Sequence, residues 1–364
     1  MKYIVPDFYL SFHCKCGECR HSCCEGWPVR ISKKEYYRLL GVNCTKRLRT
    51  KLDCTLKLCP SPSEECYAEI SSDWRGLCRM HREDGLCELQ VELGEDNLPE
   101  VCRRYPRSTR RISDTLHSTC SNSCEKVIEL LIEQKMLIQF TEVDLPLKPE
   151  SEITFKPELS SLCSQSIQIL QNRSMRLPER FLALADSCFG NPMGNKRPDQ
   201  LSEAFQFLHL CNSYYESSDN LNGFCGAAKA YYHMGEAGTL SAELLEDIIS
   251  RYHSASDHME LLMPDWQILF EQLLVNYMLY SGYPYISISE HTVDAYLSLV
   301  IIYAFLRFHV VRYMADKAGS DQPTEVLAAL FRVICHSNFN QVTARLIRSL
   351  HSSLQDCMLQ LIFL

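Results

Sequence analysis

The chain has 364 residues, 46% hydrophobic and 23% charged, a balance ordinary for a globular protein and long enough for two domains. Its net charge of −8 is uneven: residues 1–126 carry 21 Lys+Arg against 18 Asp+Glu, and the remainder 16 against 27. The acidic total, with 103–111 too short a basic run to track a phosphate backbone, argues against a nucleic-acid partner.

In chain order, the first ten residues include Lys2, Pro6 and Asp7 and do not read as a secretory leader. Residues 1–126 are rich in turn formers, from Gly17 and Gly26 to the Pro60-Ser61-Pro62 run, Pro99 and Pro106. A loop-rich segment of this size calls for staples, and metal supplies them. Ser32 followed three residues later by Glu35 has the form of a capping box, which predicts a helix over 32–40. Apolar spacing at Val127, Leu130, Leu131, Met136 and Ile138 predicts another over 120–138. Pro146, Pro149 and Pro157 mark 141–160 as a linker.

Beyond the linker, apolar residues recur every three or four positions. Helices are expected over 159–170, 178–189, 198–216, 241–254, 264–280 and 289–317, with one or two more over 324–361. The longest apolar stretch, 293–306, is interrupted by Asp294 and Ser298 and is shorter than the ~20 residues of a membrane span, so a buried core helix is expected and no membrane partner. Strands do not alternate with helices, and Gly235 and Gly238 do not follow a strand, which argues against a dinucleotide fold. The expected fold class is mainly α: a loop-rich, cysteine-built metal-binding domain over 1–140, the linker, and an all-helical domain over 161–364.

Of 20 cysteines, 14 fall between Cys14 and Cys124. In the cytoplasm, the expected compartment, thiols stay reduced and such density reads as metal ligation. Cys14, Cys16, Cys19, Cys23 and Cys24 exceed one tetrahedral site, and Cys78, Cys87, Cys102, Cys120 and Cys124 follow. A sulfur-rich set suits zinc or an iron–sulfur cluster. His13, His21, His81 and His117 lack zinc-finger spacing, which favours the cluster and leaves zinc as the alternative. Cys16, Cys19 and Cys23 give C-x₂-C-x₃-C, the reverse of the radical S-adenosylmethionine spacing.

Phe12-His-Cys14, Cys19 and Cys23-Cys24-Glu-Gly-Trp27 resemble the opening of the flagellin lysine-N-methylase family. The later blocks, Cys78-Arg-Met-His-Arg-Glu-Asp-Gly-Leu-Cys87 with Leu93-Gly-Glu-Asp-Asn-Leu98, Cys102-Arg-Arg-Tyr-Pro-Arg107 and Cys120, continue the resemblance. Their order is also similar to a broader class of zinc- or iron-chelating domains with eight cysteines. Glu271-Gln-Leu-Leu-Val-Asn276-Tyr277 resembles the family's second-half pattern. Ser121 stands where the family pattern has proline, and Cys16, Cys44, Cys54, Cys59, Cys66 and Cys124 have no matching position.

The resemblance implies methyl transfer from S-adenosylmethionine to lysines of flagellin. It also implies an iron–sulfur centre, expected as 4Fe-4S, on Cys14, Cys19, Cys23, Cys24, Cys78, Cys87, Cys102 and Cys120. Arg104 and Arg107 are the candidates to pair with a cofactor carboxylate, and Tyr105 to hydrogen-bond the lysine amine. The competing role packs Tyr105 on the metal loop and sets the arginines to neutralise an anionic cluster. Trp27 is expected as a packing anchor and Asn276 as an inter-element hydrogen bond. A non-enzymatic metal module and a redox iron–sulfur protein are the rival functions.

Overall fold

The computed structural model of the chain describes residues 1–112, 114–153, 161–189, 197–217, 241–284, 292–315, 323–349 and 354–364. It is mainly helical, with a sheet-containing N-terminal part.

Eight short strands lie in the first 153 residues: β1 (Lys2–Pro6), β2 (Val29–Ile31), β3 (Leu56–Leu58), β4 (Ala68–Ile70), β5 (Arg107–Ile112), β6 (Thr115–Cys120), β7 (Phe140–Asp144) and β8 (Ser151–Ile153). Five form one sheet in the order β7-β1-β6-β5-β8, and three form a second in the order β2-β4-β3. β5 and β6 make an antiparallel hairpin with Arg107 opposite Cys120. β1 lies parallel to β6 and antiparallel to β7, and sends Tyr3 and Val5 into the core.

This sheet revises two expectations. The stretch expected as a linker carries two paired strands where it is described, because Pro146 and Pro149 fall in the connection between β7 and β8 and leave both strands free to bond. Residues 154–160 lie outside the described residues. The helix expected over 120–138 is Glu125–Glu133. Residues 115–120 are taken by pairing with β5, and a turn in which the Cys124 amide bonds the Ser121 carbonyl at 3.2 Å separates strand from helix.

The capping box forms as expected: Ser32 accepts from the Glu35 amide, and the Glu35 carboxylate from Ser32 N, starting the Lys33–Gly41 helix. In the second half, the expected helices form as Leu162–Leu170, Leu177–Phe189, Ser202–Ser217, Ala242–Leu262, Trp266–Ser281 and Thr292–Ala315. The last segment is three helices, Thr324–His336, Phe339–Ser349 and Leu354–Ile362. Ser337 breaks the first from the second, its hydroxyl donating to Val333 O at 2.6 Å and accepting from Phe339 N at 3.2 Å.

Among the described residues one helix, Val293–Ala315, is long and apolar enough to cross a membrane, and 89% of its most apolar window is buried inside the protein. Tyr277, Tyr283, Tyr296, Tyr303, Phe305 and Phe308 are core residues, and Tyr285 lies outside the described residues.

Two cores organise the molecule. The smaller gathers Val29, Ile31, Leu39, Leu48, Leu52, Ile70, Met80 and Leu89 under the three-stranded sheet. The larger joins Tyr3, Val5, Phe8, Phe12, Cys120, Val127 and Leu131 to the helices of the second half. The boundary expected at residue 140 is therefore continuous packing: β1, β6 and the Glu125–Glu133 helix share their core with the helical half, and residues 29–98 hold the separate small core.

Candidate functional site, a thiol-lined cavity

The cysteine loop of residues 14–24 has little regular structure, and its position is set by two carboxylates. Glu125, 3% exposed in the first turn of its helix, accepts from the backbone amides of Arg20 at 3.1 Å and His21 at 2.7 Å, and from Lys15 Nζ at 3.3 Å. Glu325, in the first turn of the Thr324–His336 helix, takes His21 Nε2 at 2.7 Å and Arg20 Nη1 at 3.1 Å. One turn of chain is thus clamped between helices from opposite halves of the molecule.

The loop also meets residues 82–87 backbone to backbone. A Cβ on Gly17 would stand 2.4 Å from the Asp84 carbonyl oxygen, and Gly85, at φ +79°, faces Gly17 from the other side. Only glycine permits that approach. Behind it, the Cys78 amide donates to the Cys24 carbonyl at 2.8 Å, and His81 bridges back to Cys87. Glu88, buried beside Cys87, is held by Lys51 and Arg47.

The result is one cavity of about 440 Å³ lined by nine thiols: Cys14, Cys16, Cys19, Cys23, Cys24, Cys78, Cys87, Cys102 and Cys124. Trp27, Val29, Ile70, Tyr105, Arg107 and Arg332 are among the other residues of its wall. Burial pushes the Cys19 and Cys78 thiols up to about 12 and Cys124 up to about 11. Burial, with neighbouring Cys24, raises Cys102 as well. Cys24 is the thiol pulled down, to about 7, by the hydrogen bond from Cys23, with help from Ser22 and the Arg332 guanidinium.

Seven of the eight metal positions expected from sequence line this cavity. Cys120 does not: it is fully buried in the large core at the end of β6, where raising its thiolate is opposed by burial. Cys124, four residues on, faces the cavity instead, because the turn after β6 carries it there as the residue preceding the Glu125–Glu133 helix. Cys16, with no match in the resemblance, also lines it.

The three polar candidates separate. Arg104 points away from the cavity, bonding Glu100 at 2.9 Å, Glu150 at 2.8 Å, the Lys148 carbonyl at 2.7 Å, and Thr109. Arg107 lines the cavity, stacked over Phe12 at 4.8 Å and donating to the Phe12 carbonyl at 3.3 Å. Tyr105 lines it too, and its hydroxyl meets Ser123 Oγ at 3.0 Å. Burial holds that phenol well above its ordinary value, so it stays neutral. Ser123 Oγ reaches His336 Nε2 at 3.0 Å, and Trp27 packs on both Tyr105 and His336, with ring centroids 5.6 and 4.8 Å away. Trp27 is the packing anchor expected of it.

Asn276 is buried and ties the Trp266–Ser281 helix to the end of β6, donating to the Cys120 carbonyl at 2.8 Å and to Asn122 Oδ1 at 2.5 Å. Arg332 and His336 had no signal in the sequence. Both sit in an ordinary amphipathic helix, and only the packing of that helix on the cysteine loop gives them a place at the site.

Nine thiols offer soft donors for zinc or for an iron–sulfur cluster, and a cationic centre relieves the cost of ionising buried sulfurs beside one another. Among the described residues, however, no three ligating side chains converge as they would on a single ion.

Residues 195–358 match the family model described as the FliB lysine N-methylase C-terminal domain. The chain is 26% identical over 155 residues to the lysine-N-methylase of Salmonella typhimurium, covering 40% of this chain and 38% of that protein, with the same figures for the Salmonella choleraesuis protein. It is 23% identical over 135 residues to the flagellar biosynthetic protein FliU of Salmonella muenchen, covering 35% of this chain and 75% of that one. The match thus spans well under half the length of the two lysine-N-methylases. No solved structure matches the chain. Each of these similarities covers less than half of the chain, and together they support a likeness to the flagellin lysine N-methylases.

Proposed function

We propose that the chain is a cytoplasmic protein-lysine N-methyltransferase that uses S-adenosylmethionine, acts on flagellin and carries an iron–sulfur cluster in the thiol-lined cavity. The observation that carries the reading is that cavity, closed by Arg332 from the helical half that matches the methylase family model. The relatives' names support lysine N-methylation and a link to flagellar biosynthesis. Nine thiols around one cavity exceed the four donors that a single tetrahedral zinc ion takes, which supports a cluster.

S-adenosylmethionine supplies an electrophilic methyl carbon, and a neutral lysine amine displaces the sulfonium in line. The chain's share is to bring the reactants together, exclude water and favour the neutral amine. Of the two arginines expected to pair with a cofactor carboxylate, Arg107 is the one that lines the cavity. The Tyr105 hydroxyl, kept protonated by burial, can donate or accept at a substrate amine only by giving up or sharing Ser123. Arg104 braces the start of β5 from outside the cavity. Cys14, Cys16, Cys19, Cys23, Cys24, Cys78, Cys87, Cys102 and Cys124 are the thiols available to hold the cluster.

The test is iron and acid-labile sulfide content of protein purified without oxygen, followed by transfer of labelled methyl from S-adenosylmethionine to flagellin. Iron and sulfide in equal amounts with label on flagellin lysines supports both parts. Stoichiometric zinc without sulfide removes the cluster, and an unlabelled flagellin with intact metal removes the methylase reading for this chain.

A further inference from the structure

Five of the cysteines between Cys14 and Cys124 lie away from the thiol-lined cavity, and two of these face each other. The Sγ atoms of Cys59 and Cys66 are 3.5 Å apart. They flank the loop between β3 and β4. The Cys59 amide donates to the Tyr67 carbonyl at 3.0 Å, and the Ser63 amide to the Cys66 carbonyl at 3.0 Å. The loop is also docked: the Lys33 amide donates to the Glu64 carbonyl at 2.9 Å, Lys33 Nζ meets the Glu64 carboxylate at 2.8 Å, and the Tyr67 amide donates to the Ile31 carbonyl at 2.9 Å.

We propose that Cys59 and Cys66 are a redox modification site, forming a reversible disulfide by exchange with a small-molecule disulfide of the glutathione type. The backbone already holds the sulfurs in contact, so closing to the bond length of about 2.05 Å is a side-chain motion. Pro60 and Pro62 restrict the loop between them. Access differs between the two sulfurs: Cys66 is half-buried, whereas Cys59 is 7% exposed.

Exchange therefore starts at Cys66. Its thiolate attacks one sulfur of the external disulfide, forming a mixed disulfide and releasing one small thiolate. The Cys59 thiolate then attacks Cys66 Sγ and expels the second small thiol. Two protein thiols are oxidised, one external disulfide is reduced to two thiols, and each departing thiolate takes up a proton lost by a cysteine. The product closes an eight-residue ring (59–66) at the edge of the three-stranded sheet whose Val29 and Ile70 wall the cavity. The site is independent of whether a cluster or zinc occupies that cavity.

The test is equilibration of the full chain, purified without oxygen, in mixtures of reduced and oxidised glutathione, with alkylation and tryptic mapping without reduction. Both cysteines fall in one tryptic peptide, residues 58–75. As the mixture becomes more oxidising, that peptide should lose both alkyl groups together and become lighter by two hydrogens. Cys59→Ser should instead trap glutathione on Cys66, and Cys66→Ser should leave Cys59 as a thiol. Two alkyl groups on the peptide at every ratio would overturn the proposal, as would a wild-type glutathione adduct on Cys66 that never resolves.

Discussion

Arg332 Nη2 donates to the carbonyl of His21 at 2.6 Å, so a guanidinium on the Thr324–His336 helix holds the loop that carries Cys19 and Cys23. Arg332 Nε also reaches the Ser123 carbonyl at 3.3 Å, next to Cys124, and the side chain is 2% exposed. Arg332→Met keeps the volume and removes these donors, leaving two carbonyls to find others. Roughly 1–3 kcal/mol of stability should be lost, read as a lower urea midpoint. Cys23 should also label faster with a thiol reagent under native conditions. An unchanged labelling rate would mean that Glu125 and Glu325 alone hold the loop.

How this site assembles was partly legible in the sequence. The density of cysteines and the blocks around Cys14, Cys78 and Cys102 pointed to one thiol-rich centre, because ligand spacing is local and survives in the order of residues. The capping box at Ser32 and the apolar periodicity of the helical half are local as well. The five-stranded sheet was not legible: β1 gains its buried face only by pairing with β6 and β7, more than a hundred residues away. The same distance hid Arg332 and His336. Cys120 and Cys124 were separable only once a strand, a turn and a helix start were known to lie between them.

That separation gives a direct prediction for the metal. Cys124→Ser should lower iron retained on purification, because Cys124 lines the cavity. Cys120→Ser should leave iron content near wild type and cost stability instead, since it puts a hydroxyl into a fully buried site in the large core. Iron per chain and the urea midpoint, measured on both variants, check the pair. The reverse pattern would return Cys120 to the ligand set.

The helical half has its own buried charge. Glu271, fully buried, takes a paired set of bonds from Arg173 at 2.9–3.2 Å and Arg180 Nη1 at 2.7 Å. Glu271→Ala leaves two cations facing an empty site and should cost roughly 3–5 kcal/mol. Glu271→Gln keeps one acceptor in place and should cost less. Chemical denaturation of both variants gives the comparison, and equal losses would show that the carboxylate charge, not the retained acceptor, carries the whole effect.

The close approach of Gly17 to Asp84 predicts a third kind of defect. In Gly17→Ala the added methyl meets a backbone carbonyl at 2.4 Å, so the residue 14–24 loop and the residue 82–87 turn must move apart. The small core under the three-stranded sheet should be spared, because Gly17 does not belong to it. Hydrogen exchange should then rise in residues 14–24 and 82–87, with the Lys33–Gly41 helix unchanged. Loss of protection across that helix as well would show that the cysteine loop is part of its folding unit.

His309 supplies the pH dependence. It lies in the core against Phe305, with Nε2 3.1 Å from Asn212 Oδ1, and burial, with the nearby Arg312 charge, lowers its pKa to about 3. The unfolded chain binds this proton near the ordinary histidine value of about 6.5. Between those values the unfolded state holds more protons than the folded one, so stability rises with pH there. The contribution is complete above about 6.5 and is lost progressively as pH falls towards 3, at up to about 1.4 kcal/mol per pH unit. His336, lowered to about 4 by burial and Arg332, adds a parallel term. In His309→Gln the first term is absent, so the slope of unfolding free energy against pH between 6 and 4.5 should become shallower while the His336 term persists. Urea titrations at a series of pH values measure it directly. An unchanged slope would mean that His309 is already protonated in the folded protein or that its burial is relieved before the chain unfolds.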